Sequence, residues 1–174
     1  IAFDVRNKKM LWYFQETCHD LWNFDIAAPP ILTTIYKNGI RIDVVVAITK
    51  LGNTIILDRL TGEAIFDFEM KVAPVSKFPG EKTCEYQPSF KLPEPFARNV
   101  FKKEDVTNRS NADRDYVMSQ VNNSNYGFFP THELNKDTIV YNLSGGAQWT
   151  GGSVDPFKNI IYVTANNIPT KLKV

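Results

Sequence analysis

The sequence has only two cysteines, Cys18 and Cys84, and two histidines, His19 and His132. It contains no Cys-x-x-Cys and no Cys-x-x-Cys-His, which removes the familiar zinc and haem attachment patterns. Two cysteines are too few for a disulfide scaffold, and they neither prove nor exclude an oxidising compartment. An excess of one charge is also missing. Twenty Lys and Arg stand against 19 Asp and Glu, for a net charge of +1. That balance gives no electrostatic case for a nucleic-acid or anionic-membrane partner. No apolar run approaches the roughly 20 residues of a membrane span. An initiator Met, a basic leader and an apolar signal core are absent from the start, which opens directly on a strand-like Ile1-Ala2-Phe3-Asp4-Val5. The expectation is a piece of a longer chain.

What is present centres on Trp12 to Asp25, WYFQETCHDLWNFD. It starts as a strand with Trp12 and Phe14 on one face and Tyr13 and Gln15 on the other. It then runs into Cys18-His19-Asp20 and Leu21-Trp22-Asn23-Phe24-Asp25. Five aromatics, a histidine, a thiol, three carboxylates and two amides share these 14 residues. Aromatics beside convergent polar groups suit a site for a flat, polar, conjugated molecule. The same residues also suit a core-filling strand end followed by a polar turn.

The 174 residues suffice for one domain with a real core. Residues 1–15 read as strand, turn, strand. Residues 31–36 and 41–49 are β-branched runs around Lys37-Asn38-Gly39, a hairpin signal. Residues 54–59 and 64–69 pair around Leu60-Thr61-Gly62. FDVRNKKMLWYF at 3–14 aligns with LDRLTGEAIFDF at 57–68, an offset of 54. Each unit has an Asp before a polar turn and then an apolar strand ending in an aromatic. A strand-built repeat near 50 residues points to an all-β propeller, one blade per repeat, and this chain has room for about three blades.

Residues 71–137 break the pattern with Pro74, Pro79, Pro88, Pro93 and Pro95. Phe96 to Val106 and Ala112 to Val121 are expected as short helices in an ordered excursion covering one face. Strands return at Thr138 to Tyr141 and Ile160 to Ala165. Between them, Ser144 to Gly152 is a Gly-rich loop entering a strand, and it offers Gln148 and Trp149. A phosphate loop does not fit, because no Lys-Ser/Thr follows and no helix is signalled. A bulged strand with a packed Trp is the other reading.

Four blocks in order resemble a known family. They are HDLWNFD at 19–25, ITKLGNTIILDRLTGE at 48–63, PGEKTCEYQP at 79–88 and GGAQWTGGSVDP at 145–156. They resemble the quinoprotein dehydrogenases that use pyrroloquinoline quinone (PQQ), in particular the glucose-dehydrogenase-like branch. PFARNVFKKEDVTNRS at 95–110 resembles the family's lid region. The resemblance covers nearly the whole chain, which would be a central fragment of the propeller domain (1–174, with 71–137 as covering excursion).

The resemblance implies an eight-bladed propeller in a periplasmic enzyme, with PQQ and calcium near its axis and most calcium ligands outside this chain. A hydride passes from an alcohol or sugar carbon to the quinone while a carboxylate removes the hydroxyl proton. It further implies a respiratory quinone or cytochrome as electron acceptor, the rest of the propeller as structural partner, and possible membrane anchoring through other parts. Lys50 falls where the family places a cation against the quinone oxygens, where it would stabilise developing negative charge. Gln148 falls near an amide that contacts PQQ, with Trp149 beside it; many relatives carry Asn-Trp there.

Asn23 is the main departure. The family motif reads HDxWDxD, and the first Asp after Trp22 is its catalytic base. An amide accepts no proton at neutral pH, although its oxygen can still ligate calcium. Either Asp25 takes over, or activity is weak, or the protein is a catalytically retired propeller serving as a binding or assembly scaffold. Cys18 also departs, since close relatives often carry a second His there.

Overall fold

The computed structural model describes all 174 residues. Strands dominate, arranged in five small sheets. β1 (Ala2–Asp4) and β2 (Lys9–Trp12) form the first hairpin. β3 (Ile31–Lys37), β4 (Ile40–Ile48) and β5 (Thr54–Asp58) form an antiparallel sheet. Between β3 and β4, Asn38 and Gly39 sit at φ +53° and +78°. Two left-handed residues in a row are what a type I′ hairpin turn requires, and Asn-Gly supplies them at least cost. Along β4 the pleat alternates, so Val44, Val46 and Ile48 are buried together on one face.

β6 (Phe68–Val72) pairs with β7 (Tyr86–Phe90). β8 (Ser124–Asn125) runs parallel to β9 (Asp137–Tyr141). β10 (Ala147–Asp155) pairs with β11 (Ile160–Ala165), and β12 (Pro169–Lys173) closes back antiparallel on β9. The helical content is α1 (Asn111–Asn122) and one 3-10 turn at Lys103–Asp105. Ser110 caps α1, its Oγ accepting from Asp113 N at 3.0 Å.

The sheets have two or three strands, where four-stranded blades were expected. A fourth strand begins beside β5, through the Leu57–Ala64 bridge and the Ile65 N–H to Ile56 O bond of 2.9 Å. It then departs: Lys37 lies over the Phe66 ring at 5.2 Å, and Phe68 joins Phe14 and Phe90 in an aromatic cluster. The single strand expected at 64–69 is therefore split between two sheets. β7 was also unexpected, lying among prolines. Pro88 is tolerated because a two-stranded sheet leaves β7 an edge, where a missing N–H costs little. The helix expected over 96–106 reduces to the single 3-10 turn, while α1 covers the one expected over 112–121.

The internal repeat has a third copy. Asp4 Oδ1 accepts from Arg6 N and Asn7 N at 2.9 and 3.1 Å. Asp58 Oδ1 accepts from Leu60 N and Thr61 N at 2.8 and 3.0 Å. Asp155 Oδ1 accepts from Phe157 N and Lys158 N at 3.0 and 3.1 Å. The fourth residue after each Asp is left-handed: Lys8 at φ +55°, Gly62 at +77° and Asn159 at +55°. The fifth returns opposite the Asp, as Lys9, Glu63 and Ile160. An Asp side chain that satisfies two turn amides fixes each corner locally.

Three buried clusters knit the sheets together. Val44, Val46, Ile48 and Ala147 join the β3–β4–β5 sheet to β10 and β11. Phe101, Val106, Val121, Ile139 and Tyr141 hold α1 on β9. Trp22, Phe24, Leu51, Ala73, Phe129 and Val140 form the third.

Candidate functional site

Lys50 leaves the end of β4 in a tight turn. Thr49 N donates to Asn53 O at 3.1 Å, Gly52 N to Thr49 O at 3.0 Å, and Asn53 N to Thr49 Oγ1 at 3.1 Å. Gly52 is left-handed at φ +82°, and a Cβ there would meet Ala97 Cβ at 2.7 Å. So the turn needs glycine both for its backbone and for its neighbour. A lone Lys at a strand end is usually a surface residue, yet Lys50 is only 7% exposed. Its Nζ donates to Asp25 Oδ1 at 2.5 Å, and the Asp25 side chain is 58% exposed.

The Gly-rich loop closes over this turn. Gly146 N donates to Lys50 O at 2.7 Å and Ala147 N to Thr49 O at 3.4 Å. A Cβ on Gly146 would stand 2.8 Å from Lys50 O; one on Gly145 would stand 3.1 Å from Lys50 Cγ and 3.0 Å from Gln148 Nε2. Close approach of two backbones is the reason for glycine at 146, while at 145 it is the left-handed φ of +98° together with the crowding of these side chains. Asn23 completes the ring of contacts. It is left-handed at φ +63°, and its Nδ2 donates to Leu143 O at 3.1 Å, leaving Oδ1 as its free end.

Asn23 and Asp25 face outward because their neighbours face in. Trp22 and Phe24 are 1% and 3% exposed. They stack at 5.9 Å, and Phe129 meets both edge-on. Trp22 Nε1 donates to Pro130 O at 2.7 Å, so the buried indole N–H is satisfied. The core-filling reading of this stretch therefore holds for Trp22 and Phe24. The aromatics fill a core, and the polar residues between them are offered to the outside.

The structure thus brings Asn23, Asp25, Lys50 and Gln148 around one turn and one loop. Trp149 stands apart on β10, 76% exposed and stacked on no ring of this chain. Sequence reasoning missed three features beneath the site. The Cys18–Cys84 disulfide closes a loop of 66 residues, with Cα atoms 6.0 Å apart. The buried Gln87 side chain grips Cys18 like a strand partner, accepting from Cys18 N at 2.9 Å and donating to Cys18 O at 2.6 Å. Glu16 is buried against Asn53. A carboxylate in a strand-like aromatic run was the one available signal for Glu16.

A buried cation, an open carboxylate, a free amide oxygen and a close-packed glycine loop can receive a flat, oxygen-rich anion and accept a proton beside it. A family model described as "PQQ: Glucose/ethanol/alcohol dehydrogenase, beta-propeller domain" matches residues 1–174. The chain belongs to this family. Among relatives of this quinoprotein domain, a quinoprotein glucose dehydrogenase of Gluconobacter oxydans is 27% identical over 97% of the chain. One from Escherichia coli is 28% identical over 97%. A glycerol dehydrogenase large subunit of Gluconobacter thailandicus is 29% identical over 97%. The quinoprotein chain spans 21% to 23% of the length of these relatives. No solved structure matches it.

The residues fit PQQ in one respect: a tricarboxylate quinone calls for a fixed cation, and Lys50 offers one. They do not make a calcium site by themselves. No group of three or more His, Cys, Asp or Glu is clustered to hold a metal. Asn23 and Asp25 fall well short of the six to eight oxygens calcium takes.

Proposed function

We propose that this chain forms one wall of the cofactor site in a PQQ-dependent dehydrogenase that oxidises an alcohol or sugar. The Lys50–Asp25 ion pair is the observation that carries this reading. A scaffold has no need of a buried lysine aimed at an open carboxylate. PQQ, when bound, supplies the hydride acceptor. Lys50 holds a positive charge where negative charge develops on the quinone oxygens, a role that needs no reorganisation during reaction. Asp25, rather than Asn23, receives the substrate's hydroxyl proton, because it is the carboxylate that Lys50 orients. Gln148 would contact the cofactor from the Gly-rich loop, with the exposed Trp149 following it on β10. Asn23 Oδ1 would offer calcium a single oxygen ligand, with the other ligands supplied from elsewhere in the protein.

About three blades of a larger propeller, recognisable by the three Asp-anchored corners, are the structural part of this proposal. A respiratory quinone or cytochrome is the proposed electron acceptor. The Cys18–Cys84 disulfide supports the periplasm as the compartment, since disulfides persist in oxidising surroundings.

The test is steady-state dye reduction by the intact parent protein, loaded with PQQ and calcium, on glucose and simple alcohols. Asp25→Asn is expected to cost about 10²–10⁴ in kcat, the usual range for a general base. Asn23→Asp with a gain, and Asp25→Asn without loss, would return the base to position 23. The second reading, a retired scaffold, rests on Asn23 and holds if the loaded parent is inactive and neither change matters.

A further inference from the structure

Glu16 is 3% exposed and lies directly under the Thr49–Asn53 turn that presents Lys50. Asn53 Nδ2 donates to Glu16 Oε1 at 2.8 Å. The two remaining oxygens of this pair, Glu16 Oε2 and Asn53 Oδ1, are both buried and both without a hydrogen-bond partner. Both partners of one buried hydrogen bond thus keep an acceptor that no donor meets. A proton on Glu16 Oε2 turns that oxygen from an unpaired acceptor into a donor, with Asn53 Oδ1 as an unpartnered acceptor on the residue that Glu16 already contacts. Buried acceptors left unpaired are rare and costly, which is why the protonated form fits this site.

We infer that Glu16 is a positioning residue that keeps its proton, and that the Glu16–Asn53 pair clamps the turn holding Lys50 against Asp25. This rests on the reading of Lys50 as the cofactor-facing cation. Burial supports it: Glu16 is pushed from the usual 4.5 up to about 7, first by desolvation, with the carboxylate of Asp20 adding to the rise and the Asn53 and Thr49 bonds opposing it. The other charges nearby are accounted for. Lys50 is taken by Asp25, and His19 is paired with Glu81 at 2.6 Å. No cation is left to neutralise an ionised Glu16.

Deprotonation would return two unpaired oxygens and a buried charge to the floor of the turn. The consequence reaches Lys50 through one residue, Thr49, whose hydroxyl accepts from Asn53 N and whose carbonyl accepts from Gly52 and Ala147. Glu16→Gln is the informative variant. A glutamine offers Asn53 the same acceptor and the same donor as the protonated acid, at every pH.

The experiment uses the intact, PQQ-loaded parent and three readouts. Difference infrared spectroscopy should show a protonated-carboxyl band in the wild type at about pH 6 that titrates away near 7 and is missing in Glu16→Gln. Turnover of the wild type should fall at least about fivefold between about pH 6 and about pH 8.5, while Glu16→Gln keeps its turnover across that range. The Lys50–Asp25 coupling, from a double-mutant cycle on thermal unfolding, should survive in Glu16→Gln and vanish in Glu16→Ala. A wild type with no such band at about pH 6 overturns the proposal, as does a Glu16→Gln variant with the wild-type pH dependence or a coupling that Glu16→Ala leaves intact. A parent that is inactive fails the dehydrogenase reading alone. The infrared band and the coupling still decide the role of Glu16.

Discussion

Lys50 Nζ and Asp25 Oδ1 lie 2.5 Å apart, the lysine side chain 8% exposed and the aspartate 58%. The pair is lopsided: the cation is fixed inside the protein, and its partner is largely exposed. A cation buried this way cannot be relieved by water when Asp25 is lost or engaged elsewhere. It then looks for another anion, which is the position a quinone oxygen would fill.

Lys50→Ala should therefore lower kcat more than it weakens PQQ binding, because the charge counts most as the quinone is reduced. Turnover numbers and PQQ titrations on the parent protein separate the two. Equal turnover in variant and parent would remove Lys50 from the site. Lys50→Met keeps the packing without the charge and should behave like Lys50→Ala in turnover.

Gly146→Ala should damage the site while leaving the rest of the fold in place. Its new Cβ would stand 2.8 Å from Lys50 O, a backbone atom that cannot swing aside. Overpacking of this kind typically costs about 1–3 kcal/mol. Thermal unfolding of the parent gives the loss, and turnover should fall with it. An alanine variant with wild-type stability would mean that the loop does not sit on the turn.

The disulfide should contribute to stability through the loop that it closes. Cys84→Ser, or reduction, should cost the parent about 2–4 kcal/mol, seen as a lower Tm. Since Gln87 also grips Cys18, the 16–20 segment should stay partly docked after reduction. Hydrogen exchange at the Cys18 amide distinguishes partial from complete release. No change of Tm on reduction would sever this link.

The protonation of Glu16 makes a signed prediction about stability. Its ordinary value is 4.5 and its folded value is about 7. Between those values the folded protein holds a proton that the unfolded chain has released. The contribution is therefore fully present below about pH 4.5, declines as pH rises, and is gone above about pH 7. The full span is worth about 3 kcal/mol, by linkage. Glu16→Gln should flatten this part of the Tm–pH curve. A wild type whose Tm rises through that window in step with Glu16→Gln would contradict the assignment.

The legible parts of this molecule are those with local causes. The β3–β4 hairpin follows from β-branched runs around Asn38-Gly39, and α1 covers the helix expected over 112–121. The alternation that buries Trp22 and Phe24 and exposes Asn23 and Asp25 is likewise written in the order of the residues. The parts that could not be read depend on partners far away in sequence. Nothing local marks Lys50 as buried, since its cover comes from Gly145, Gly146 and Asp25. Pro88 made β7 look like loop, because edge position is a property of the sheet and not of the segment. β12 was hidden by its lysines, and the Cys18–Cys84 pairing by the chain between them. Glu16 was legible only as an oddity, because its meaning lies in Asn53.

The three aspartate corners at Asp4, Asp58 and Asp155 share one backbone path while their intervening residues differ, as VRNK, RLTG and PFKN. A corner that closes on its own side chain and its own left-handed residue asks nothing of the sheet around it. These hairpin ends are thus exchangeable parts. Moving the 58–63 corner into the place of 4–9 should leave the architecture standing. What makes one repeat unlike the next is carried by the opposite ends of the strands, where Lys50 and its neighbours sit. The corners are uniform and self-contained, so residues at the far end of β5, Lys50 among its neighbours, can change without the corners having to change.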